Sequence, residues 1–331
     1  MIDAGVLVVG AGAIGGVTAG LMTGRVARVV ALDANAEHVA LCRAPGLRID
    51  VMGEERVVPL DVRGSVDELD GRFDFALITV KAPALPVVLP ALRERDIVET
   101  YVSLGNGLVQ DRVAAIVGAD RMLAGTVEFG GTNLGPGHVA QTTVNPFVIG
   151  ELDGTVRERT QRLREILETV GEVRVTDNIA GQIWSKLLVN SALSGLGAVG
   201  GVLYRDVIGH PDGRQALLSV WREGYRLGQA QDLALEEVLG IEPSELVVDD
   251  PAPALRTVAA LAGATKASML QDIERGIATE VDVINGAVVD RARALGSQAP
   301  GNATIVELIH AYERGDDVPS PEHFEQVAAA R

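Results

Sequence analysis

Val6-Leu7-Val8-Val9-Gly10-Ala11-Gly12-Ala13-Ile14-Gly15 opens the chain and decides how the rest is read. An apolar run suited to a buried strand enters a glycine turn and leaves it as a helix. The start of a helix presents unpaired N–H groups and the positive end of the helix dipole, which together suit a pyrophosphate. Gly10 allows the tight turn, Gly12 lets the backbone approach the phosphates, and Gly15 lets helix pack on strand, with Ala13 and Ile14 at the helix start between them. In a chain with 38 glycines the hexapeptide alone is a weak signal, and its place between strand and helix gives it weight.

Ala27-Arg28-Val29-Val30-Ala31-Leu32 reads as a second buried strand and ends at Asp33. An acidic residue at that strand tip, about 20 residues past the glycines, binds the adenosine ribose 2′-hydroxyl and repels a 2′-phosphate. Asp33 therefore favours NAD (NADH) over NADP. An aspartate closing a strand is also an ordinary turn residue, and the glycines by themselves leave FAD open.

A length of 331 residues predicts two domains, or one large domain with an appendage. Hydrophobic residues at 47% supply a sizeable core, and aromatics at 3% mean that Val, Leu, Ile and Ala build it. The formal charge of −16 argues against nucleic acid and anionic membrane surfaces as partners, and it gives interest to any lysine in a candidate site. The single cysteine, Cys42, rules out an intrachain disulfide framework and a cysteine-rich zinc site; its setting in Val39-Ala40-Leu41-Cys42 reads as helix core. His38, His138, His210, His310 and His323 are scattered without ligand spacing, so no metal is expected. The apolar N-terminal run is short, interrupted by glycine and accounted for as a strand, so it is not read as a signal peptide. No stretch approaches membrane-spanning length free of glycine or charge. A cytoplasmic protein is expected.

Residues 1–176 alternate strands with helices, which predicts a mostly parallel, doubly wound α/β sheet of the Rossmann type. Leu47 to Val51 and Glu55 to Val58 look like a small hairpin or excursion. Phe73 to Val80, Val98 to Leu104 and Met122 to Val127 are buried strands, the first ending at Lys81 and the second at Gly105-Asn106-Gly107. Asn133 to His138 reads as a turn-rich connection, Val139 to Gly150 as a late antiparallel pair, and Arg157 to Val170 as an amphipathic helix. From residue 177 the pattern is helical: Ile179 to Val199, Ala216 to Leu233, a short acidic helix over Glu237 to Val248, then Ala254 to Glu274, Val281 to Leu295 and Thr304 to Arg314. The expected division is a dinucleotide-binding domain over 1–176 and an all-α domain over 177–331 for substrate, with apolar content that allows a homodimer.

Three groups of residues carry candidate chemistry. In Trp184-Ser185-Lys186-Leu187-Leu188-Val189-Asn190-Ser191-Ala192-Leu193-Ser194, the residues Lys186, Asn190 and Ser194 recur every four positions and share one helix face. Gly195, Gly197, Gly200 and Gly201 follow, each costing about 1 kcal/mol against alanine in a helix interior, which suggests close approach of another element or a ligand. Spacing alone equally allows Lys186 to be a surface lysine at a helix start. The second group runs from Thr265-Lys266-Ala267-Ser268 to Thr279-Glu280 and reads as helix, turn and new helix. Thr279 is a plausible cap there and Glu280 a first-turn acid, a position that the dipole favours for stability alone. The third group is the strand ends at Lys81 and Asn106, since ligands of open α/β sheets bind beyond the carboxyl ends of strands. An asparagine between glycines is also simply a turn.

In order along the chain, Gly10 to Gly15, Val80-Lys81, Asn106-Gly107, Trp184-Ser185-Lys186-Leu187 with Asn190, Lys266-Ala267-Ser268-Met269-Leu270-Gln271-Asp272, Thr279-Glu280-Val281-Asp282, Ile284-Asn285-Gly286 and Ala299-Pro300-Gly301-Asn302 resemble the ketopantoate reductase family. The resemblance covers nearly the whole chain. It implies a reductase that moves a hydride from a nicotinamide to the 2-oxo group of ketopantoate (2-dehydropantoate) or a similar 2-oxo acid, giving the 2-hydroxy acid. It implies Lys186 as general acid and Glu280 as the group that holds the substrate hydroxyl and the lysine. Asn190, Ser268 and Ser194 fall on substrate-binding positions, and Lys81 and Asn106 near the nicotinamide, Asn106 also within reach of substrate. Ser194 stands where the family commonly has a second asparagine, and Val202-Leu203-Tyr204-Arg205-Asp206 replaces an asparagine–glycine pair, so Tyr204 and Arg205 alter the pocket. Two alternatives stay open: a related NAD-dependent dehydrogenase acting on a different carbonyl acid, and a dinucleotide-binding protein without catalysis.

Overall fold

The computed structural model describes residues 1–330, which divide into two compact units: Met1–Gly105 with Val109–Ile179, and Asn106–Leu108 with Ala180 onward. The first unit runs β1 (Ile2–Val9), α1 (Ala13–Met22), β2 (Val26–Leu32), α2 (Ala36–Arg43), β3 (Leu47–Val51), β4 (Glu54–Val58), β5 (Asp61–Arg63), β6 (Phe73–Ile78), α3 (Leu85–Arg95), β7 (Val98–Ser103), α4 (Gln110–Val117), β8 (Met122–Val127), β9 (Gly131–Gly135), β10 (His138–Gln141), β11 (Phe147–Gly150), α5 (Glu158–Leu167) and β12 (Val173–Val175). Eight strands form one sheet in the order β12-β11-β8-β7-β6-β1-β2-β5. Its middle, β8-β7-β6-β1-β2, is parallel. From β1 the chain winds first to β2 on one side and later to β6 on the other, so the winding reverses between β1 and β6, where open α/β sheets bind their ligands. Val6 to Val9 are wholly buried, as a parallel strand covered on both faces requires.

The remaining strands form a second sheet, β4-β3-β10-β9, against which α1 packs. Two expectations are corrected here. Val139 to Gly150 is not an antiparallel pair: β10 runs antiparallel to β9 and parallel to β3, while β11 enters the large sheet antiparallel to β8 and parallel to β12. All four β11 residues are buried, so burial draws this segment into the main core and away from its neighbour in sequence. Asn133 to Gly135 is strand, not connection. The turn shrinks to Pro136-Gly137, with Gly137 at φ 70 reversing the chain.

Cys42 lies fully buried on α2, and burial together with the nearby Asp33 charge pushes its thiol up to about 11. The native protein is expected to resist iodoacetamide at mildly alkaline pH and to be alkylated only in denaturant. Adduct formation in the native state, followed by mass spectrometry, tests this.

The second unit is helical. α6 (Ile179–Val189) continues through a π-helical turn at Asn190–Ser194 into α7 (Gly195–Gly200). There follow α8 (Tyr204–Gly209), α9 (Pro211–Gln229), α10 (Ala252–Ala262), α11 (Ser268–Glu274), α12 (Asn285–Ala294), α13 (Pro300–Arg314) and α14 (Phe324–Ala329). The expected helix from Ile179 to Val199 is thus one rod with a wide turn inside it. Its glycines meet other elements as their cost suggested: a Cβ at Gly195 would stand 3.1 Å from Asn285 Oδ1, and one at Gly200 2.3 Å from Phe324 Cζ. The expected helix Ala254 to Glu274 is two helices. Tyr204 N–H and Arg205 N–H take the carbonyls of Thr265 and Gly263, which pulls that stretch out of helical pairing. Glu237 to Val248 is helical only as a 3-10 turn at Pro243–Leu246, because Leu239 and Gly240 hold positive φ of 52 and 73.

A buried polar tie fixes the rod. Asn285 Nδ2 donates to Ser191 O at 3.0 Å and to Asn302 Oδ1 at 2.9 Å. Asn302 N and Nδ2 donate to Glu223 Oε2 at 3.0 and 2.7 Å, and Gly301 N donates to Glu223 Oε1 at 2.8 Å. Burial raises the Glu223 carboxyl above its ordinary range, and these three bonds oppose the rise. Among the described residues no helix is long and apolar enough to cross a membrane, and no three His, Cys, Asp or Glu side chains gather as a metal site.

Candidate active site

The glycine loop in the first unit has the form of a phosphate cradle. Gly10 sits at φ 98, and a Cβ there would lie 2.8 Å from Val80 Cγ1. At Gly15 a Cβ would lie 1.8 Å from Gly10 O, so α1 meets the turn as closely as backbone allows. Around Gly12 nothing stands within 4 Å of the same position. Gly12 is also the N-cap of α1 and has no side chain to satisfy the N–H groups of the first turn, where Ala13 and Ile14 lie. Two glycines therefore face protein and one faces open space in front of a helix start, which fits a dinucleotide pyrophosphate.

Thr79, which no sequence motif marks, ties this loop to the neighbouring strand. Its Oγ1 donates to Val9 O and Gly10 O, each at 2.9 Å, where the winding reverses. Asp33 stands at the end of β2. Its Oδ2 accepts Ala11 N–H at 2.8 Å and its Oδ1 accepts Asn35 N–H at 2.9 Å. The carboxylate thus braces the glycine loop as well as marking the strand tip, and each oxygen keeps a further lone pair for a hydroxyl donor. Lys81 is half-buried at the entry to the 3-10 turn Ala82–Ala84.

In the second unit the structure brings together two residues 174 positions apart: Asn106 Nδ2 donates to Glu280 Oε2 at 3.1 Å. Gly107 makes the approach possible. It holds φ 71, a Cβ there would lie 2.0 Å from Val283 O, and Leu108 N donates to that same carbonyl at 2.9 Å. Glu280 is 8% exposed. It is not in the first turn of a long helix, as sequence predicts, but precedes the one-turn 3-10 segment Val281–Val283, and α12 starts only at Asn285. The N-cap of that turn is Glu280 and not Thr279, which stands one residue earlier and accepts Val281 N–H on its Oγ1 at 3.2 Å.

Lys186 on α6 and Asn190 at the start of the π turn are both half-buried, whereas Ser194 at its end is buried. The π turn begins at Asn190, so i→i+5 winding replaces the expected every-four spacing between Asn190 and Ser194. The Ser194 hydroxyl lies beside the Tyr204 phenol without the alignment of a hydrogen bond. Burial pushes that phenol up to about 12, with Ser194 acting against the shift. Ser268 is exposed at the first position of α11, a helix that packs on the π turn and on α7.

Comparison with known proteins follows this division. The family model for ketopantoate reductase PanE/ApbA matches residues 6–154, and the model for the ketopantoate reductase PanE/ApbA C terminal matches residues 178–313. The 2-dehydropantoate 2-reductase of Halobacterium salinarum is 29% identical over 312 residues, 93% of this chain and 99% of that protein. A PanE/ApbA family ketopantoate reductase from Ralstonia eutropha JMP134 aligns with a TM-score of 0.80 at 25% identity, over 94% of this chain and 98% of that one. D-mandelate dehydrogenase in complex with NADH and anilino(oxo)acetate shares the fold, with a TM-score of 0.82 at 22% identity over 94% of this chain and 99% of that one. A glycine cradle on one unit, a buried glutamate held by asparagine on the other, and family models that match both units place the chain in the ketopantoate reductase family.

Proposed function

We propose that the protein is an NAD(P)-dependent oxidoreductase that reduces the 2-oxo group of ketopantoate to the 2-hydroxy acid. The observation that carries this reading is the hydrogen bond from half-buried Asn106 to buried Glu280, in the unit that also bears Lys186. The nicotinamide, when bound, supplies the hydride. The residues of the chain manage the charge and the proton. A ketone that gains hydride develops an oxyanion; the Lys186 ammonium stabilises it and passes a proton to it. Asn106 orients Glu280, whose carboxylate accepts the substrate hydroxyl and holds the lysine in place. Asn190, Ser194 and Ser268 offer hydrogen-bonding groups to the rest of the acid.

For the cofactor we favour NADH, held by Gly10, Gly12, Ala13, Ile14 and Gly15 at the diphosphate and by Asp33 at the adenosine ribose, with Lys81 and Asn106 toward the nicotinamide. Steady-state kinetics with ketopantoate and either NADH or NADPH test both parts. The expected result is turnover with a higher kcat/KM for NADH, and a ratio that moves at least about tenfold toward NADPH in Asp33→Ser, the effect of about 1.4 kcal/mol of removed repulsion. A wild-type preference for NADPH overturns the role given to Asp33 and leaves the reductase intact. Absence of turnover of ketopantoate with either cofactor overturns the substrate.

A further inference from the structure

The turn that carries Glu280 is fastened to α13 by contacts the proposed chemistry does not use. Thr279, one residue before Glu280, donates its N–H to Glu313 Oε1 at 2.7 Å. Asp282, two residues after it, places Oδ1 2.9 Å from His310 Nε2, and His310 Nδ1 lies 2.9 Å from Glu313 Oε2. Glu280 is therefore bracketed on both sides by residues tied to one imidazole–carboxylate system on α13. The bracket has something to hold: a three-residue 3-10 turn has few bonds of its own to fix its orientation.

Both ring nitrogens of His310 face carboxylate oxygens, so both bonds require a proton on each nitrogen, which is the imidazolium. The titratable groups that face it are Asp282 from the turn and Glu313 from its own helix. Burial lowers its pKa, but the bonds to Glu313 and Asp282 outweigh burial and hold it above the ordinary imidazole value. Burial pushes the Glu313 carboxyl up, but the Thr279 bonds and His310 outweigh it and keep the carboxyl below its ordinary value. With a raised folded-state pKa, the lock is complete below the ordinary imidazole value of about 6.5 and is lost as pH rises through the raised one.

We propose that His310 is a positioning residue: as the imidazolium it locks the Thr279–Asp282 turn to α13 and so aims the Glu280 carboxylate. The proposal rests on the role given to Glu280 above. It is tested in the full chain with His310→Phe, His310→Arg and Glu280→Gln, each assayed for melting temperature, for KM of NADH and of ketopantoate separately, and for kcat/KM against pH. In His310→Phe the KM for NADH stays as in wild type, the KM for ketopantoate rises about tenfold with a lower kcat, and the fall in kcat/KM as pH rises through the raised imidazole pKa disappears. Arginine is charged at every pH and can fork to two carboxylates. His310→Arg therefore keeps the wild-type KM for ketopantoate and also lacks that fall, which decides the matter if the phenylalanine variant does not fold. A wild-type pH profile in His310→Arg, or an unchanged KM for ketopantoate in His310→Phe, overturns the proposal while a hundredfold loss in Glu280→Gln leaves the role of Glu280 standing. Glu280→Gln within tenfold of wild type overturns that role and the proposal together.

Discussion

Lys186→Ala is expected to lower kcat for 2-oxo acid reduction by about 10²–10⁴-fold, the usual contribution of a positioned general acid. The lysine is half-buried on α6, and its loss removes a charge without opening a large cavity, so the melting temperature should change little. Lys186→Arg separates two roles. The guanidinium keeps a positive charge near the developing oxyanion but does not give up a proton in the accessible pH range. Arginine should therefore recover part of the lost rate and stay well below wild type. A kcat within tenfold of wild type in the alanine variant removes Lys186 from the chemistry.

Gly12→Ala and Gly15→Ala are expected to weaken NADH binding for different reasons. At Gly15 the added methyl would lie 1.8 Å from Gly10 O and 2.4 Å from Thr79 Oγ1, so α1 has to move and the strand-end tie is disturbed. Overpacking of this kind costs about 1–3 kcal/mol, which appears both as a lower melting temperature and as a Kd for NADH raised about 10- to 100-fold. At Gly12 the methyl meets no protein atom within 4 Å, so the apoprotein should melt as wild type does. The methyl instead enters the space assigned to the diphosphate, and NADH binding falls without loss of stability. Calorimetric titration with NADH and thermal unfolding without it separate the two. Full-strength NADH binding by Gly12→Ala would show that the diphosphate lies elsewhere.

What the sequence makes legible is what neighbours in the chain determine. The strand, glycine turn and helix from Val6 onward, and Asp33 after the second strand, follow from local pattern, and the structure places each as expected. The destinations of β10 and β11 are not legible, because both are only four residues long and partner choice depends on segments far away. The break between α10 and α11 depends on donors supplied by Tyr204 and Arg205, which the pattern around residue 265 does not reveal. The meeting of Asn106 with Glu280 spans 174 positions, and in the sequence it rests on family resemblance alone. The positive φ of Gly107 explains why the asparagine-glycine pair is there. His310 looks like one of five scattered histidines until Asp282 and Glu313 are seen at its two nitrogens.

The wide turn at Asn190–Ser194 is a surplus residue in an otherwise even coil, anchored where Asn285 grips the Ser191 carbonyl. Every side chain beyond it is offset by about 100° from where unbroken winding would put it.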